Sequence, residues 1–63
     1  MPMFVIKRGH EYVAKPGGKR SFTKKLQEAR VFPLWEMALH HKCSNEIIST
    51  VEEEMGIRED GGN

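Results

Sequence analysis

Sixty-three residues, 38% hydrophobic and 30% charged, have the composition of one small folded domain. A nucleotide-binding α/β unit with its own substrate site is not expected within this length. One cysteine, Cys43, cannot close an intramolecular disulfide, so a stapled secreted mini-protein is excluded and a cytoplasmic location is expected. The formal charge of +1 conceals a gradient, net +6 over residues 1–34 and net −5 over residues 35–63. Such a dipole either closes on itself or directs association with a partner or a second copy.

Met3–Ile6 is a short apolar run followed at once by Lys7 and Arg8. It is too short for a signal-peptide core and carries its charges on the wrong side. No run approaches the ~18 apolar residues of a membrane span. Glu11-Tyr12-Val13-Ala14 lies beyond Gly9, and the two segments read as a β-hairpin turning around Arg8-Gly9-His10. Pro16-Gly17-Gly18 stops the second strand, because proline donates no ladder hydrogen bond. Residues 16–21 form a loop carrying Lys19 and Arg20.

Thr23–Arg30 reads as about one helical turn, with the Thr23 hydroxyl as its cap and Leu26 and Ala29 on one face. Pro33 marks the start of the main helix, since its fixed φ and missing N–H suit a first turn. That helix is expected to reach about Lys42, with Leu34, Met37, Ala38 and His41 on one face and Trp35 and Leu39 on its flanks. Residues 46–54 fit a helix with the stripe Ile47, Ile48, Val51, Met55. They also fit an alternating strand, and their β-branched density favours the strand. A third strand turns a marginal hairpin into a sheet for the helix to cover. The expected architecture is therefore α+β: a small antiparallel β-β-α-β sheet with one main helix across it, over residues 1–55. A solvated acidic, glycine-rich tail follows over 56–63.

The pattern Tyr12-Val13, Phe22-Thr23-Lys24-x-Leu26-x-x-Ala29-Arg30-Val31-Phe32, Ala38 and Ile47–Glu53 resembles short, mostly uncharacterised proteins of bacteriophages and mobile elements. Their plan is a hairpin, a T-x-x-L-x-x-A-x-x-F turn, a helix and a closing strand. The resemblance spans residues 4–53. It implies the β-β-α-β fold and an accessory-gene setting, and it transfers no active site. Leu34-Trp35 departs from the polar residues expected at the helix start, which puts extra apolar surface outside.

Three constellations invite chemistry. His40, His41 and Cys43 have the residue types of a metal site, with His10 as a distant fourth. Zinc needs four converging ligands, and neighbouring helical side chains diverge by about 100°. The cluster reads instead as a polar helix end and a small thiol. Cys43 with His40 has the spacing of a nucleophile and base but lacks a visible orienting group or oxyanion site. Glu11, Glu28 and Glu36 read as surface charge. No catalytic, cofactor-binding or metal-ligating residue is expected, and no cofactor or small-molecule substrate.

Two binding surfaces remain. Trp35, Leu34 and Leu39 crowd a helix that three strands cannot fully cover, so they are the expected partner-binding residues for another protein or a second copy. The alternative for Trp35 is that it folds back over Val31-Phe32. Lys15, Lys19, Arg20, Lys24, Lys25 and Arg30 are the candidate contacts to a nucleic-acid backbone, with Tyr12, Phe4 and Phe22 able to stack bases if exposed. The loop Lys15–Arg20 lacks the spacing of a nucleotide-triphosphate loop. The chain is thus expected to be a non-catalytic interaction module of phage or prophage type that binds a host or viral protein surface. The alternative is a weakly sequence-specific nucleic-acid binder using its basic half.

Overall fold

The computed structural model describes residues 2–61, and the backbone alone for 57–61. Strands β1 (Phe4–Arg8), β2 (Glu11–Val13), β3 (Phe22–Thr23) and β4 (Ile47–Thr50) form one antiparallel sheet in the order β3-β2-β1-β4. A 3-10 turn (Leu26–Glu28) and helix α1 (Trp35–His41) lie between β3 and β4, and helix α2 (Val51–Gly61) follows β4. The α+β expectation holds, with β-β-β-α-β-α in place of β-β-α-β.

The β1–β2 turn needs Gly9. Arg8 pairs with Glu11, and Gly9 has φ +62°, while among the described residues no residue type but glycine has positive φ. A positive first and negative second central φ is the type II′ pattern, whose twist matches that of the flanking strands.

Strand alternation sends Val5, Lys7, Tyr12, Thr23 and Ser49 to one face and Ile6, Val13, Phe22 and Ile48 to the other. The two faces carry two separate cores. Val5, Tyr12 and Ala29 are buried on the first, joined by Leu26 and Val51. Ile6, Phe32 and Ala38 are buried on the second, joined by Phe4, Val13 and Ile48.

One irregular segment serves both cores. Beyond Tyr12, β1 and β2 splay apart and residues 28–32 fill the split. The Arg30 N–H donates to the Val13 carbonyl at 2.8 Å, and Lys15 N–H to the Glu28 carbonyl at 3.1 Å. Phe4 and Phe32 exchange both backbone bonds at 2.8 Å. Every backbone group used here would otherwise be an unpaired edge. Ala29 then points to one core and Phe32 to the other.

Three expectations change. The helical turn over Thr23–Arg30 shrinks to Leu26–Glu28, because Thr23 belongs to β3, paired with Tyr12. The Thr23 hydroxyl still bridges the junction, accepting from the Lys25 N–H at 3.1 Å and donating to Glu28 Oε1 at 3.0 Å. The main helix begins at Trp35, not Pro33, because Leu34 is extended at φ −125°, ψ 139°. Residues 46–54 are strand as far as Thr50 and helix from Val51. There the Thr50 Oγ1 accepts from the Glu53 N–H at 3.2 Å, an N-cap that stops the strand and starts α2. The domain boundary expected at residue 55 therefore falls inside a helix that continues to Gly61, and residues 62–63 of the expected tail lie outside the described residues.

Candidate interaction surfaces

Helix α1 buries a single residue, Ala38, against the sheet. Its remaining apolar residues face outward: Trp35 is 50% exposed and Leu39 44%, with Leu34 at the helix cap 57% exposed. Trp35 and Leu39 are four apart and share a stripe. Met37 and the preceding Val31 are also exposed. Covering such half-exposed side chains would gain about 1 kcal/mol each. All three residues expected to bind a partner are thus surface residues. The Phe32 ring is flanked by the His41 ring, 5.3 Å between centroids, and by the Arg30 guanidinium at 4.9 Å.

Five of the six candidate nucleic-acid contacts line two adjoining clefts that share Arg20, Thr23 and Glu28. Lys15, Lys19 and Arg20 line an open cleft of about 570 Å³ between the Pro16-Gly17-Gly18 turn and Thr23, Gln27 and Glu28. Gly17, at φ +89°, provides the bend. Arg20, Lys24 and Lys25 line an adjoining cleft that also holds Glu11 and Glu28. Arg30 lines neither and covers Phe32 instead. The three aromatics offered for base stacking are engaged elsewhere. Tyr12 is buried, Phe4 packs against the Ile6–Phe32–Ala38 core, and Phe22 is half-buried beneath the Arg8 guanidinium at 5.1 Å.

The His/Cys cluster is spread over a helix end. His41 stacks on Phe32 while Cys43 is an exposed free thiol. The Cys43 N–H donates to the buried Glu46 carboxylate at 2.7 Å, and the Glu46 N–H returns to the Cys43 carbonyl at 3.0 Å. These bonds close the turn into β4. Among the described residues, no group of three or more His, Cys, Asp or Glu could hold a metal ion.

One polar cluster escapes a reading of the residues in order. Glu54, 3% exposed, accepts from the Tyr12 hydroxyl at 2.8 Å and the Ser49 hydroxyl at 2.7 Å. Lys7 Nζ lies 3.1 Å from its Oε1 and 3.3 Å from its Oε2. Burial alone would raise this carboxyl's pKa. The hydrogen bonds from Ser49, Tyr12 and Lys7 and the charge of Lys7 outweigh burial and hold it below the ordinary value. The cluster ties α2 to β1, β2 and β4, and joins the basic half of the chain to the acidic half. The available signal was Thr50-x-x-Glu53, a capping-box spacing that starts a helix and turns Glu54 inward.

Among the described residues no helix is long and apolar enough to cross a membrane. No protein-family model, curated protein or solved structure matches this chain.

Proposed function

We propose that this chain is a non-catalytic interaction module that covers a surface of another protein with the outer face of α1. The observation that carries this is the exposure of Leu34, Trp35 and Leu39 on a helix whose one buried residue is Ala38. A chain this small has few large side chains to spend on its core, yet these three stand in water. The resemblance to short phage and mobile-element proteins supports an accessory role, with a host or viral protein as the partner.

The test uses matched baits. The wild-type chain, Trp35→Glu and Leu39→Glu are immobilised side by side and exposed to host or phage extract. A partner held by the wild type and lost by both variants supports the reading, provided their circular dichroism is unchanged. A partner held equally by all three contradicts it.

A second reading rests on the cleft that gathers Lys15, Lys19 and Arg20. These cations suit phosphate oxygens, and no stacking platform accompanies them, so contact would be to the backbone and largely independent of sequence. Binding to single- and double-stranded DNA titrated against salt tests it. Affinity must fall steeply with salt, and no binding at low salt removes it.

A further inference from the structure

The two edges of the sheet are built differently. The β3 edge has only two residues, Phe22 and Thr23, and runs directly into Lys24 and Lys25. Shortness and lysines are devices that keep an edge from pairing. The β4 edge has neither: Ile47-Ile48-Ser49-Thr50 is uncharged, rich in β-branched residues and free of proline.

The register shows which groups that edge offers. The Val51 N–H donates to the Met3 carbonyl at 2.9 Å. With Val5 opposite Ser49 and Lys7 opposite Ile47, the odd-numbered residues of β4 therefore bond to β1. The even-numbered ones face away. Phe4 confirms the alternation on β1, since it bonds to Phe32 on the other side. The N–H and C=O of Ile48 and the N–H of Thr50 thus point outward, with the Glu46 carbonyl at the next even position. Among the described residues none of these four groups has a backbone partner outside the regular elements.

We propose that the chain pairs with a second copy along β4, antiparallel about a two-fold axis through Ile48. Opposed residues in an antiparallel pair lie on the same face, so the register must match residues of equal parity. Setting Ile48 against Ile48 of the second copy satisfies all four groups at once. The two Ile48 residues exchange N–H and C=O, and each Thr50 N–H meets the Glu46 carbonyl opposite. Ile47, 61% exposed, then lies across from Ser49 of the second copy. Lys7, the cross-strand neighbour of Ile47, is already paired with Glu54, so its charge is met before the second copy arrives. The interface is isologous, and the two four-stranded sheets become one. It is independent of what the outer face of α1 binds.

Sedimentation of the full chain from about 10 μM to 1 mM reads the association. The wild type should shift from monomer to dimer, and the Ile48 amide should exchange more slowly as concentration rises. Ile47→Lys puts like charges beside the axis at an exposed position and should keep the chain monomeric with unchanged circular dichroism. N-methylation of Ile48, introduced by chemical ligation at Cys43, deletes one outward donor, keeps the side chain and should also abolish the dimer. A wild type that stays monomeric to 1 mM overturns the proposal. So does a dimer that survives both changes, or one lost in Trp35→Glu and retained in Ile47→Lys, which would place self-association on α1.

Discussion

The Tyr12 hydroxyl donates to the Glu54 carboxylate at 2.8 Å across 42 residues of sequence, and this contact fixes the second helix to the sheet. Tyr12 supplies the apolar body of one core and Glu54 is the only residue of α2 whose side chain is buried among those described. Tyr12→Phe keeps the ring and removes one donor from a buried charge. It should cost about 1–3 kcal/mol. A urea titration monitored by circular dichroism checks this, and an unchanged midpoint would show that the carboxylate is satisfied without Tyr12.

The same carboxylate sets the acid limb of stability. Its folded pKa lies below its ordinary value of 4.5 because Ser49, Tyr12 and Lys7 favour the ionised form more than burial opposes it. A group depressed on folding contributes stability fully above its unfolded pKa and loses that contribution as pH falls through the folded one. Stability should therefore decline on acidification below about pH 4.5, and more steeply than in Glu54→Gln, whose profile should be flatter there. Urea midpoints from neutral pH to pH 3 provide the check. Parallel profiles for the two proteins would contradict the assignment.

Thr50 is both the last residue of β4 and the cap of α2, through its bond with the Glu53 N–H at 3.2 Å. Thr50→Ala removes the cap acceptor and should cost about 1 kcal/mol, with some loss of helical signal. Thr50→Ser keeps the acceptor and should recover most of it. Equal loss in both variants would show that the methyl group, not the hydroxyl, matters here.

Phe32 is the largest fully buried side chain and reaches its core from an irregular segment. Truncating such a residue costs about 3–5 kcal/mol, which is comparable to the roughly 3–5 kcal/mol a single core of this size supplies. Phe32→Ala should therefore be largely unfolded at 25 °C by circular dichroism. A cooperative, native-like transition in this variant would show that the Ile6–Ala38 core stands without it.

How much of this was legible residue by residue follows the range of the forces involved. Gly9 announces its turn because only glycine takes that φ cheaply, so the hairpin is readable locally. Lys42 closes α1, at the position the sequence pattern leads one to expect. Strand β3 is not readable, because two residues acquire strand character only by pairing with Tyr12 and Val13. Segment 28–32 is hidden for the same reason, since its partners Phe4, Val13 and Lys15 are 13 or more residues away. Residues 46–54 satisfied both the strand and the helix pattern because they contain both, divided at Thr50. Of the candidate sites, Leu34, Trp35 and Leu39 were visible as an apolar surplus on one short helix. Glu54 was not, because in the run Glu52-Glu53-Glu54 only the phase of a capped helix decides which carboxylate turns inward.

A partner can cover the outer face of α1 only if that face lies outside the core, and the stability of Trp35→Glu measures this directly. Unfolded in urea and followed by far-ultraviolet circular dichroism, this variant should lie within about 1 kcal/mol of the wild type, the most that a half-exposed side chain gives up. A loss of several kcal/mol, or of cooperative unfolding altogether, would mean that Trp35 holds the fold together and that the surface assigned to a partner is already occupied by the chain itself.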